Sequence, residues 1–120
     1  MNNKRTKVLI VDDNPNMRVM IASVIQSSAT EIIFCDDGAG AEALYNWHQP
    51  DWVLMDVEMK VMDGLTATRE IIRSNPHARI IMVTDHDNEV LREVAIGAGS
   101  RYFVRKENLF ELPAIIYGLQ

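Results

Sequence analysis

Short, uninterrupted apolar runs recur along this chain, and between them apolar residues return every three or four positions. The runs are Val8-Leu9-Ile10-Val11, Ile32-Ile33-Phe34-Cys35, Trp52-Val53-Leu54-Met55, Ile80-Ile81-Met82-Val83 and Tyr102-Phe103-Val104. Rich in β-branched and aromatic residues, they predict strands over about 7–12, 31–35, 51–56, 79–84 and 101–105. The stretches between them read as helices. Met17, Met20, Ile21, Val24 and Ile25 keep helical spacing after Asn14, a good N-cap, and Pro15, suited to the first helical position. Residues 39–48 form a small Ala-rich segment. Met62-Asp63-Gly64 is a turn, and 65–74 is helical with Leu65, Thr68, Ile71 and Ile72 inward. Residues 88–98 make a helix stopped by Gly99, and 109–119 the last one, with Pro113 in its first turn.

Five strand–helix units follow, with no repeat, linker or low-complexity segment, so residues 1–120 read as one domain. Strands apolar throughout belong to a parallel sheet covered on both faces. Strands alternating with helices imply an α/β fold with right-handed crossovers, and five units are too few for a closed eight-unit barrel. The expected fold is a flavodoxin-like, doubly wound, five-stranded parallel sheet of order 2-1-3-4-5 with five helices.

Composition changes this picture little. Of 120 residues, 48% are hydrophobic and 24% charged, which is enough for a core without disulfides. The net charge of −5 argues against direct nucleic-acid binding by this domain and against an anionic membrane as partner. The single cysteine, Cys35, sits in an apolar run and is expected to be buried and unreactive. No run is long enough to span a membrane, and the polar start does not resemble a signal peptide. A soluble, cytoplasmic protein is expected. The Met20, Met55 and Met82 set is expected in the core, Trp47 and Trp52 over the sheet beside the second helix, and His48 and His77 in solvent.

The chemistry lies at the strand ends, where open α/β sheets bind ligands. The first strand leads into Asp12 and Asp13, the third ends in Asp56, the fourth in Thr84, and the fifth leads to Lys106. Three carboxylates in one crevice repel one another unless a cation offsets them. Mg²⁺ suits one or two carboxylates with waters and phosphate oxygens, and Lys106 adds a second positive charge. Thr84 can donate a hydrogen bond to a phosphoryl oxygen. Such a site fits phosphoryl transfer to a carboxylate, which needs alignment and charge neutralisation more than covalent work by the protein.

Val11-Asp12-Asp13-Asn14, Leu54-Met55-Asp56-Val57-Glu58-Met59, Met62-Asp63-Gly64, Val83-Thr84, Ala98-Gly99 and Phe103-Val104-Arg105-Lys106 together resemble the motif set of response-regulator receiver domains in two-component signalling. The likeness spans nearly the whole chain, in order. It implies that Asp56 accepts a phosphoryl group from a histidine kinase or phosphotransfer protein. It further implies that Asp13, Asp56 and the backbone carbonyl of Glu58 bind Mg²⁺, with Asp12 acting through water. Thr84 and Phe103 would form a switch pair that reshapes the face of the fourth helix, fifth strand and fifth helix, a surface for partners or a homodimer. Glu58 and His86, two residues past Asp56 and Thr84, would tune access of water to the acyl phosphate. Three positions depart from the common pattern. Lys60 and Glu107 stand where proline is frequent, and Phe103 stands where tyrosine is frequent. The Lys106-Glu107-Asn108-Leu109 stretch resembles the subclass attached to helix-turn-helix output domains, which regulate transcription.

Each residue taken singly has a plainer reading. Asp12-Asp13 could be a helix N-terminal acidic pair, Thr84 a strand residue and Lys106 a solvated lysine. Their company at one sheet edge favours function. Two other classes compete with this reading: a phosphate-independent interaction module, and a Mg²⁺-dependent aspartyl-phosphate phosphohydrolase. The second wants an aspartate two residues after the nucleophile, where this chain has Glu58. A flavin site fits less well, because the turn after the first strand is acidic. Gln120 follows the last helix closely, so either a stand-alone regulator or a receiver with an output domain beyond that point is expected.

Overall fold

The computed structural model describes residues 5–86 and 88–118. Strands β1 (Thr6–Val11), β2 (Thr30–Cys35), β3 (Trp52–Asp56), β4 (Ile80–Thr84) and β5 (Tyr102–Arg105) alternate with helices α1 (Pro15–Ile25), α2 (Ala41–His48), α3 (Gly64–Ser74), α4 (Glu89–Ala98) and α5 (Leu112–Tyr117). All strand pairs are parallel, in the order β2-β1-β3-β4-β5. The register sets Val11 beside Met55, Asp56 beside Val83 and Thr84 beside Arg105, which aligns the carboxyl ends of β1, β3, β4 and β5 along one edge.

The uniformly apolar strands hide a period of two. Leu9, Val11, Val53, Met55, Ile80 and Met82 face a layer holding Tyr45, Ala67, Ile71 and Ala95 of α2, α3 and α4. Val8, Ile10, Leu54, Ile81, Val83 and Val104 face the other layer, with Ile21 and Ile25 of α1 and Leu112 and Ile116 of α5. Both faces of the central strands β1, β3 and β4 are therefore buried, which is why no polar alternation shows in their sequence.

Local chemistry sets the helix ends. The Asn14 side chain caps α1 by accepting from the N–H groups of Asn16 and Met17. Asp63 and Asn88 cap α3 and α4 in the same way. Gly99 ends α4 at φ 114°, where a Cβ would also lie 2.6 Å from Ile72 Cγ1.

Several expectations need correction. Helix α2 begins at Ala41 rather than 39, because Asp37 Oδ1 accepts the Gly40 N–H at 2.9 Å and holds the preceding residues in a turn. Residues Lys106–Glu111 form a 3₁₀ stretch, and α5 starts only at Leu112. Pro113 has no N–H to give to a helix begun at 109, so it can occupy only a first turn. The expected end at Leu119 lies outside the described residues. Met55 and Met82 are fully buried, but Met20 is 52% exposed, on the solvent side of Ile21 and Ile25. Ala41, Leu44, Tyr45 and His48 make the inward stripe of α2, which leaves His48 half-buried and Trp47 84% exposed. Trp52 is buried, but it shares its face with Leu54 in the α1/α5 layer and not beside α2. His77 is exposed.

Candidate phosphoacceptor site

Strand β1 hands the chain to one face of the sheet through α1, and its neighbour β3 hands it to the other through α3. The split leaves a crevice above the carboxyl ends of β1 and β3. Asp12, 1% exposed, stands at its floor. Asp12 Oδ1 accepts the Asn14 N–H at 2.9 Å, and its main-chain carbonyl accepts from Arg18 at 2.7 Å. Asp12 Oδ2 is buried and takes no hydrogen bond among the described residues. Asp56, 4% exposed, points into the same space, with Oδ1 accepting the Glu58 N–H at 3.3 Å. Asp13 is half-buried on the outer side. One carboxylate oxygen from each of Asp12, Asp13 and Asp56 lies within 4.8 Å of the others.

Lys106, at the start of the 3₁₀ stretch after β5, balances part of this charge. Its Nζ lies 3.3 Å from Asp56 Oδ1 and 3.4 Å from Asp12 Oδ2. Burial raises the pKa of Asp56 to about 6, and the Asp12 charge adds to the rise; Lys106 and the Glu58 amide oppose it without cancelling it. Burial pushes the Lys106 pKa down, but the charges of Asp56 and Asp12 outweigh this and hold it above its ordinary value.

Asp12 Oδ2, buried and ion-paired with Lys106 but without a hydrogen bond, and its two carboxylate neighbours form a hard oxygen donor set with more negative charge than one ammonium offsets. The residues therefore fit a Mg²⁺ ion. Gly64 gives the site its compactness: a Cβ there would lie 2.0 Å from the main-chain oxygen of Asp56, so only glycine lets α3 start this close.

Thr84 is fully buried one register step beyond Asp56, and its Oγ1 accepts the His86 N–H at 3.1 Å. His86 Nε2 meets Glu58 Oε1 at 2.5 Å, so these exposed side chains join the β3–α3 and β4–α4 loops. Phe103 stands apart from the carboxylates. It is half-buried against the α2/α3/α4 layer, with the Arg92 guanidinium 5.0 Å from its ring. Glu58 touches the site through its amide and reaches His86 through its carboxylate. Sequence reasoning missed two participants: the Lys60 amide, which donates to Asp13 Oδ2, and Gly64 as a close-approach residue rather than only a turn signal. The Gly64 role was legible in the Asp63-Gly64 pair; the Lys60 amide carries no sequence signal.

Residues 8–116 match the response regulator receiver domain family. The chain is 39% identical over 101 residues to the chemotaxis protein CheY of Bacillus subtilis, covering 83% of this chain and 84% of that one. It superposes on a LuxR-family two-component response regulator from Aurantimonas sp. SI85-9A1 with a TM-score of 0.85 at 27% identity, covering 98% of this chain and 89% of the other. It is also similar to CheY in the CheX-CheY-BeF₃-Mg²⁺ complex from Borrelia burgdorferi, with a TM-score of 0.85, 26% identity, and 95% and 90% of the two chains covered.

The chain belongs to the receiver-domain family of two-component response regulators. Members of that family are signalling domains, phosphorylated on an aspartate with Mg²⁺ bound at an acidic pocket. Among the described residues no helix is long and apolar enough to cross a membrane.

Proposed function

We propose that Asp56 is the phosphoacceptor, and that this chain takes its phosphoryl group from the phosphohistidine of a kinase or phosphotransfer protein in the cytoplasm. The observation that carries this reading is the position of Asp56: it is buried, shares one crevice with two further carboxylates, and contacts Lys106. In the transfer, an oxygen of ionised Asp56 forms a bond to phosphorus as the phosphorus–nitrogen bond of the donor breaks. The leaving imidazole keeps the bonding pair. Asp13, Asp56 and the Glu58 carbonyl would hold Mg²⁺, with Asp12 acting through water, and the bound ion would supply charge neutralisation. Lys106, already in contact with Asp56, donates to a phosphoryl oxygen afterwards, and Thr84 donates to another. The Borrelia relative, solved with BeF₃ and Mg²⁺, supports this assignment.

Hydrolysis of the acyl phosphate by the chain itself resets the signal. The Glu58–His86 bridge spans the two loops flanking the acceptor and limits the approach of water. Movement of Thr84 toward the phosphoryl group frees space for Phe103 to turn inward, changing the α4–β5–α5 surface offered to a partner, an output domain or a second copy.

Intact mass after incubation with Mg²⁺ and a small phosphodonor tests the core of the proposal. A single Mg²⁺-dependent phosphate adduct, lost in Asp56→Asn, is expected. No adduct from a folded chain, with a phosphorylated histidine kinase also tried as donor, would sink the proposal and favour a phosphate-independent interaction module.

A further inference from the structure

The β3–α3 loop is tied to the site by a contact far apart in sequence. The main-chain N–H of Lys60 donates to Asp13 Oδ2 at 3.2 Å across 47 residues. On its other side the same loop is held by the Glu58–His86 bridge. Asp13 and Lys60 also line two open grooves at this end of the sheet, of about 550 and 620 Å³, so the pair stands where an ion would enter from solvent.

We infer that Lys60 is a positioning residue for the cation site, acting through its main-chain N–H on Asp13. This rests on the reading of Asp13 as a Mg²⁺ ligand. Asp13 is the most exposed of the three carboxylates, and without a partner its side chain would rotate. The amide occupies Oδ2, fixes the carboxylate and leaves the second oxygen for an ion. Mg²⁺ prefers few protein carboxylates at fixed positions, so a ligand ordered in advance lowers the entropic cost of binding. Loss of an outer-shell partner costs about ten- to a hundredfold in metal affinity. This contact is solvent-exposed, which places its effect at or below the lower end of that range.

The side chain of Lys60 acts in the opposite sense, since its ammonium repels a dication. Alanine keeps the N–H and removes the charge, whereas proline removes both. The two substitutions therefore separate the amide from the charge.

The test is calorimetric titration of the whole chain with Mg²⁺, without phosphodonor, for wild type, Lys60→Ala and Lys60→Pro. Lys60→Ala should bind at least as tightly as wild type, and Lys60→Pro about three- to tenfold more weakly than Lys60→Ala. Equal affinity in the two variants, with a wild type that binds, overturns the role of Lys60 alone. A wild type that binds no Mg²⁺ overturns the metal reading of Asp13 and the Lys60 role with it. NMR-detected hydrogen exchange at the Lys60 amide of the wild type decides the matter even if Lys60→Pro does not fold. Protection should persist at saturating Mg²⁺. Faster exchange on adding Mg²⁺ would mean that the amide competes with the ion, which is the reverse of the inference.

Discussion

Lys106 Nζ lies 3.3 Å from Asp56 Oδ1, joining the end of β5 to the end of β3 across the intervening strand β4. Its other contact, at 3.4 Å, is the buried Oδ2 of Asp12. One ammonium thus serves two buried carboxylates. Lys106→Met would strand both, and removing one member of a buried pair costs about 3–5 kcal/mol. We expect a loss near the lower figure in urea unfolding with EDTA present. Adding Asp56→Asn should recover more than that substitution gains in the wild-type background, and a purely additive double-mutant cycle would argue against the coupling.

Asp56 brings a pH dependence of definite sign. Its pKa is about 6 in the fold against an ordinary 3.8, so the folded state favours the protonated form. The resulting penalty is absent below the unfolded pKa, grows as pH rises toward about 6, and is complete near neutrality. Asp56→Asn should therefore stabilise the metal-free chain near neutral pH, by on the order of 1–3 kcal/mol, and much less near pH 4. Denaturant midpoints at the two pH values, measured in EDTA, read this directly. A constant difference would show that the burial of Asp56 does not control its ionisation.

Gly64 is open to a sharper steric test. An alanine Cβ would sit 2.0 Å from the Asp56 carbonyl oxygen and 3.0 Å from Met55 Cγ, so either α3 or the end of β3 must move. Gly64→Ala should destabilise by about 1–3 kcal/mol, the range for overpacked sites, despite alanine's better helix propensity. Thermal unfolding checks this, and Gly97→Ala on the open side of α4, where a Cβ meets nothing within 4 Å, is the control.

The Glu58–His86 bridge should matter for lifetime and not for stability. Both side chains are about three-fifths exposed, and exposed ion pairs contribute about 0–1 kcal/mol. His86→Ala should leave the unfolding midpoint nearly unchanged while the phosphorylated form decays about two- to tenfold faster, because water reaches the acyl phosphate more freely. Decay followed by intact mass gives the rate. An unchanged lifetime would assign the bridge to the surface alone.

Much of this was legible from local rules. The strand runs, the Asn14 cap, Gly99 after α4 and the order β2-β1-β3-β4-β5 all follow from short-range chemistry and from the geometry of parallel crossovers. So did the set Asp12, Asp13, Asp56 and Lys106, because in such a sheet every strand's carboxyl end must reach the same edge. Trp47 and Met20 were misplaced because hydrophobicity alone does not say on which side of a short helix a residue falls; the neighbours that bury Tyr45 and Ile21 decide that. The late start of α5 needed the correct consequence of Pro113, a residue already in view.

The sequence by itself determined which side chains could do chemistry and at which end of which strand they stand, since that depends on chain order and on residue type. Only the tertiary structure decided how they are charged and held. Burial lifts Asp56 toward neutral pH, a single lysine is divided between two carboxylates, and the Lys60 main-chain N–H reaches Asp13 across 47 residues. Those are properties of distance and solvent exclusion, and a main-chain donor looks the same in the sequence at every residue but proline.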